Sequence, residues 1–254
     1  MGWFEHAEST IHFEDEGKGD PVLFLPGWSE SVDEFTALRA ALSEKFRVIA
    51  ADLPGSGKSG PQPRAYTPAY YEDDAQSFLA LLEAMNVIPA HILGFSDGGE
   101  VALVMAVRNP ESPRSVVAWG AAGQLVTPPE MVDAFYSVVD EPIEPLAEFS
   151  EHLKGAYGEA NARAMSQSVV TAWRSIQDAG GDISRSKAAA IGSPTLLITG
   201  EHDFFAPPQV VSELAQMIKG GEFIEVKGAG HVLHHDHGEW LADTIVSWLL
   251  RHEA

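Results

Sequence analysis

Ser96 stands in the run His91-Ile92-Leu93-Gly94-Phe95-Ser96-Asp97-Gly98-Gly99-Glu100-Val101. An apolar stretch leads into Gly94-x-Ser96-x-Gly98 and another leads out of it. This pattern places the serine on a sharp turn between a buried strand and a helix, with its side chain thrust outward. Glycines two before and two after allow the strand and helix backbones to approach closely. The turn also leaves Ser96 at a helix N-terminus, where free N–H groups favour developing negative charge.

A serine hydroxyl is a poor nucleophile until a base takes its proton. An elbow of this kind draws its acid and then its base from later strands. Thr199-Gly200-Glu201-His202-Asp203 follows an apolar run, which makes Asp203 the first choice of acid and Glu201 the second. Gly228-Ala229-Gly230-His231 follows the last apolar run, which makes His231 the base. His234, His235 and His237 compete for that role but are expected on a surface helix beyond it. An oxyanion needs two backbone N–H groups aimed at one point. The expected donors are Asp97, which follows the nucleophile, and Trp28 in the early loop Leu25-Pro26-Gly27-Trp28-Ser29. Trp28, Phe95 and Asp97 are also the expected substrate contacts.

These residues need a scaffold that delivers several loops to one edge. Short apolar runs at 22–25, 46–51, 91–94, 115–119, 195–199 and 222–226 read as strands buried on both faces, as in a parallel sheet. Helical spacing appears between them near 33–44, 70–86, 101–107, 210–217 and 240–250. Alternating strands and helices predict an α/β fold with a mostly parallel central sheet flanked by helices. From 122 to 190 no buried strand is evident, and Pro128-Pro129, Pro142 and Pro145 punctuate helical stretches. The expected organisation is a core from 1–121 and 191–254, with a helical cap at 122–190 inserted before the last two strands.

Composition narrows the function. The 254 residues hold 16 Lys and Arg against 37 Asp and Glu, a formal charge of −21. Nucleic-acid binding draws on lysines and arginines that displace counterions, so this balance argues against it. The absence of cysteine removes thiol nucleophiles, disulfide scaffolds and Cys-based zinc sites. No apolar run approaches the ~18 residues of a membrane span. The amino terminus has neither a basic nor an apolar leader region, so the expected setting is the cytoplasm. The expected partner is a small-molecule ester, without nucleic acid or membrane. The oligomeric state is left open.

Two signals compete with the serine. Gly55-Ser56-Gly57-Lys58-Ser59 resembles the end of a phosphate-binding loop. However, Asp52 stands where the pattern needs glycine, and Pro61 and Pro63 follow where a helix should start. It reads as a turn. The segment His231-Val232-Leu233-His234-His235-Asp236-His237 could supply imidazole and carboxylate ligands to a transition metal, which makes a metallohydrolase the rival class. A ligand-binding protein without catalysis is a third reading, because a fold alone does not decide function.

Taken together, these residues resemble the α/β-hydrolase superfamily, and more narrowly the valacyclovir hydrolase (biphenyl hydrolase-like) family. The resemblance runs through Leu25-Pro26-Gly27, where many relatives have His-Gly, and Asp52-x-Pro54-Gly55-x-Gly57-x-Ser59. It continues through Gly94-Phe95-Ser96-Asp97-Gly98-Gly99, Trp119-Gly120-Ala121, Gly200-Glu201-His202-Asp203 and Gly230-His231-x-x-His234. It implies a serine esterase that cleaves carboxylic esters through an acyl-enzyme, with no cofactor. It also implies that Asp97 holds the ammonium of an α-amino acyl ester. The alternative for Asp97 is an acid favoured in the first turn of a helix by the dipole. The superfamily also includes lactone, amide and C–C bond hydrolysis and perhydrolysis, which stay open as alternative chemistries.

Overall fold

The structure is a computed structural model and describes residues 1–253. Eight strands form one sheet: β1 (Gly2–His6), β2 (Ser9–Gly17), β3 (Pro21–Leu25), β4 (Arg47–Ala51), β5 (Ala90–Phe95), β6 (Pro113–Trp119), β7 (Thr195–Gly200) and β8 (Gly221–Val226). Their spatial order is β1-β2-β4-β3-β5-β6-β7-β8. β3 through β8 are parallel to their neighbours, whereas β1 with β2 and β2 with β4 are antiparallel.

The six apolar runs correspond to β3 through β8. The antiparallel pair β1 and β2 extends the expectation. Both are half-exposed, and β2 carries Glu14, Asp15 and Glu16 along its outer part, so neither shows the continuous apolar run of a buried strand.

Alternate side chains of the parallel strands feed two apolar layers. Leu23, Ile49 and Ile92 pack on one face against Phe78 and Leu82 of α2 (Tyr70–Ala84) and Val101 and Met105 of α3 (Asp97–Arg108). Val22, Phe24, Val48 and Val117 pack on the other face, with Leu38 and Leu42 of α1 (Thr36–Ser43) and with Ile245, Trp248 and Leu249 near the carboxyl end. No helix among the described residues is long and apolar enough to cross a membrane.

Between β6 and β7 the chain leaves the sheet. It forms α4 (Pro129–Tyr136), α5 (Ala147–Tyr157) and the long α6 (Glu159–Asp178), and returns through a 3₁₀ turn at Arg185–Ala190. The apolar stripe of α6, Met165, Val169, Val170, Trp173 and Ile176, is buried. Its spacing of three and four residues is that of an amphipathic helix pressed on a core. After β7 come α7 (Pro208–Met217), β8, a short α8 (Leu233–Asp236) and α9 (Gly238–Leu250).

The order of strands decides where a site can form. β3 pairs with β4 on one side and β5 on the other, so the chain departs in opposite directions after these strands. Open parallel sheets bind ligands in the crevice at the carboxyl ends of such strands.

Candidate active site

Ser96 begins where β5 ends. Its backbone is held at φ 51° and ψ −120°, a left-handed conformation rare for a residue with a side chain. The surrounding glycines are sterically required. A Cβ on Gly94 would come within 2.1 Å of the Gly98 carbonyl oxygen, and one on Gly98 within 2.3 Å of the Leu25 carbonyl oxygen. α3 starts immediately at Asp97, earlier than the apolar spacing predicts, so its first N–H groups surround the serine.

The other two residues arrive on the loops after β7 and β8. His231 Nε2 lies 3.0 Å from Ser96 Oγ, and His231 Nδ1 lies 2.8 Å from Asp203 Oδ2. Asp203 Oδ1 accepts from the N–H groups of Phe205 and Ala206, both at 2.9 Å. Burial pushes the Asp203 carboxyl up. The pull of His231 and of these two N–H groups outweighs that, and it sits below the usual carboxylate range. It is therefore a fixed anion behind the imidazole. Glu201, the second choice of acid, turns away to the Gly228 N–H and to Lys227, so Asp203 alone of the two reaches His231.

The loop after β3 is held by several hydrogen bonds. Gly27 N–H donates to Glu30 Oε2 at 2.9 Å, and Ser29 N–H donates to Ser56 Oγ at 2.9 Å. The Tyr157 hydroxyl donates to the Ser29 carbonyl at 2.8 Å, and the Trp28 indole donates to Tyr66. Ser29 adopts φ 68°, which the loop's many ties sustain. Among the described residues, the backbone N–H groups of Trp28 and Asp97 have no hydrogen-bond acceptor. Such groups are available to a developing oxyanion.

Phe95 is buried under the site, with its ring 5.0 Å from that of His231 and stacked on Trp119. Asp97 is also buried, and its two oxygens accept from the hydroxyls of Tyr71 at 2.8 Å and Tyr70 at 3.0 Å. Burial pushes its carboxyl up to about 6, against these two hydrogen bonds. Trp173 of α6 donates its indole N–H to Tyr70 at 2.9 Å, which connects the helical segment to the residue beside the nucleophile.

One expectation is overturned. His234 is not a surface-helix residue: its side chain is only 8 % exposed. Its ring lies 4.3 Å from that of Phe35 and 4.7 Å from that of Phe95. α8 is a single turn that folds back on the core, which carries this ring inward. The histidine-rich segment therefore diverges. His231 turns to Ser96, His234 enters the aromatic layer, and His235 is exposed. Among the described residues, no group of three or more His, Cys, Asp or Glu is placed to share a metal ion.

Ser96 and His231 open into a cavity of about 510 Å³. Trp28, Phe135, Phe149, Trp173 and Phe205 line it, so helices from between β6 and β7 complete its wall. Tyr70, Tyr71, Tyr157 and Glu100 were not among the expected site residues. For Glu100 a signal exists, a lone carboxylate followed by the apolar run Val101–Val107.

A serine, an imidazole and a buried carboxylate at hydrogen-bonding separations are the parts of an acyl-transfer site. The sequence pattern of the alpha/beta hydrolase family matches residues 22–244, which spans β3 through β8. The chain belongs to the alpha/beta hydrolase family. It is 29 % identical over 234 residues to the human serine hydrolase BPHL, covering 88 % of this chain and 77 % of that protein. The resemblance to the biphenyl hydrolase-like family is thereby shown. A shorter match, 36 % identical over 111 residues, joins it to a pimeloyl-[acyl-carrier protein] methyl ester esterase of Shewanella woodyi, covering 43 % of this chain and 39 % of that one. Among solved structures, the enol-lactonase of Burkholderia xenovorans LB400 superposes with a TM-score of 0.79 at 22 % identity, covering 98 % of this chain and 100 % of that one. A thermophilic esterase from Thermogutta terrifontis superposes with a TM-score of 0.77 at 23 % identity, covering 97 % and 95 %. These two likenesses establish the fold. The sequence relatives include hydrolases, esterases among them, and the assignment they support is a hydrolase.

Proposed function

We propose that this hydrolase cleaves carboxylic esters through an acyl-enzyme on Ser96. The observation that carries this reading is the unbroken line Ser96 Oγ, His231 Nε2, His231 Nδ1, Asp203 Oδ2, with spacings of 3.0 and 2.8 Å.

In the proposed reaction, Ser96 Oγ attacks the ester carbonyl as His231 Nε2 takes its proton. The Asp203 carboxylate holds the ring in the tautomer that leaves Nε2 free and stabilises the imidazolium that forms. The carbonyl oxygen becomes an oxyanion facing the N–H groups of Trp28 and Asp97. Collapse expels the alcohol, which takes the proton from His231. Water then repeats the sequence on the acyl-enzyme, with His231 again as base, and releases the acid and free Ser96. No cofactor enters these steps. The helical segment 122–190 acts as a lid whose aromatic side chains wall the cavity.

The reading extends to substrate preference. Asp97 is a buried carboxylate beside the reacting carbonyl, and no Lys or Arg side chain lines this cavity. An ammonium on the acyl group would supply the missing countercharge, which favours α-amino acid esters. Asp97→Ala should hurt α-amino esters selectively, and an equal loss on neutral acyl esters would refute the preference.

The experiment that tests the reaction itself is Ser96→Ala assayed on a short p-nitrophenyl ester. Hydrolysis should vanish; persistent turnover would sink the serine mechanism.

A further inference from the structure

Glu30 clamps Gly27 from both sides. The Gly27 N–H donates to Glu30 Oε2 at 2.9 Å, and the Gly27 carbonyl accepts from the Glu30 N–H at 3.2 Å. The second bond closes a four-residue turn, Gly27-Trp28-Ser29-Glu30, with Ser29 in the left-handed region at φ 68°. The peptide that carries the Gly27 carbonyl also carries the Trp28 N–H. In a trans peptide the two point in opposite directions. Glu30 draws the carbonyl into the turn, so the Trp28 N–H faces out of it, without an acceptor among the described residues.

The turn lies against the nucleophile elbow. A Cβ on Gly27 would come within 3.0 Å of the ring of Phe95, the residue before Ser96, and within 2.9 Å of Glu30 Oε2. One on Gly98 would come within 2.3 Å of the Pro26 carbonyl oxygen. Such close approach needs glycine at 27, and glycine leaves its own backbone free to turn. The ties from Ser56, Tyr66 and Tyr157 reach Ser29 and the Trp28 indole rather than the Gly27–Trp28 peptide. Glu30 is itself held in the cavity wall, with its side chain only 15 % exposed. Its Oε1 lies 3.5 Å from Nε2 of His234, whose ring packs between Phe35 and Phe95.

We infer that Glu30 is a positioning residue, which fixes the Gly27–Trp28 peptide and so aims the Trp28 N–H at the oxyanion before its charge develops. The inference rests on the ester-hydrolase reading for the oxyanion itself. A donor aimed in advance needs no reorganisation at the moment of reaction, so its effect falls on the transition state rather than on substrate binding.

The test compares full-length Glu30→Ala, Glu30→Met and Glu30→Gln proteins with the parent. Each is assayed on a short p-nitrophenyl ester and for inhibition by an alkyl trifluoromethyl ketone. Ser96 Oγ adds to the ketone carbonyl, the Oγ proton passes to His231 Nε2, and the carbonyl π pair moves onto oxygen. The product is a stable oxyanion in the proposed site. Alanine and methionine offer no acceptor to the Gly27 N–H, and methionine keeps the volume of the side chain. Both variants should lower kcat about tenfold or more with KM within about twofold, and weaken ketone inhibition by the factor that kcat/KM loses. Glutamine keeps a carbonyl acceptor at the same reach, so Glu30→Gln should retain at least about a third of the parent kcat. A parent-like kcat without the acceptor, or a loss confined to KM, would overturn the inference. So would ketone inhibition that stays unchanged while kcat falls, or a Glu30→Gln protein as impaired as Glu30→Ala. If Glu30→Ala does not fold, Glu30→Met is read in its place. Failure of the ester-hydrolase reading shows separately, as a parent that neither cleaves the ester nor binds the ketone, or as undiminished cleavage by Ser96→Ala.

Discussion

The hydroxyl of Tyr157 donates to the carbonyl of Ser29 at 2.8 Å, joining α5 to the loop that carries the Trp28 N–H. The same hydroxyl accepts from Gly57 N–H at 2.8 Å, so it also fastens that loop to the turn after β4. The helical segment thereby braces the loop proposed to hold the oxyanion, and it also lines the cavity. Tyr157→Phe removes both ties while keeping the ring. It should lower kcat for ester hydrolysis about tenfold with little change in KM, because a misplaced oxyanion donor costs transition-state binding. A rise in KM at unchanged kcat would show instead that Tyr157 serves only the shape of the cavity.

Asp203 and Glu201 leave the same loop with opposite fates. Asp203→Asn should lower kcat by about 10³–10⁴-fold, because an amide presents the wrong partner to His231 Nδ1 and turns the tautomer around. Glu201→Gln, whose parent side chain meets Lys227 and the Gly228 N–H, should stay within a factor of about three of the parent. A large loss in the second variant would mean that the acid has been misassigned.

Asp97 makes the fold sensitive to pH. Its carboxyl is pushed up to about 6 from an ordinary 3.8, so between those values the folded state binds more protons than the unfolded state. Stability then falls as pH rises through this window, and the cost stays in force above it. Asp97→Asn should therefore stabilise the protein in urea unfolding at about pH 8 and lose that advantage by about pH 4. A stability difference independent of pH would contradict the buried charge.

His234 tests the histidine-rich segment. Its ring fills space between Phe35 and Phe95, so His234→Ala should lose about 2–4 kcal/mol of stability, in the range of other large core truncations. Dialysis of the parent protein against EDTA should leave its ester hydrolysis unchanged. Loss of activity on chelation, restored by a divalent metal, would revive a metallohydrolase.

The parallel part of the fold is legible because buried strands write themselves as apolar runs, as at Val22–Leu25 and Thr195–Ile198. β1 and β2 are harder to read, because this antiparallel end of the sheet keeps one face in water and Glu14 to Glu16 look like a loop. Ser96, Asp203 and His231 are legible because each follows a strand that ends at the same edge. Tyr70, Tyr71 and Tyr157 are not, because they reach the site from helices, and helical spacing reports which face is buried without saying what it meets. His234 misleads for the same reason: four residues of α8 are too few to define a face.

The central claim, covalent catalysis on Ser96, is read most directly by mass spectrometry of the intact protein and its peptides after exposure to a serine-directed alkyl phosphonate. One adduct should form, on the peptide containing Ser96, in step with the loss of ester hydrolysis, and none should form on the Ser96→Ala protein. An adduct elsewhere, or full hydrolysis by a protein that the phosphonate does not label, would contradict it.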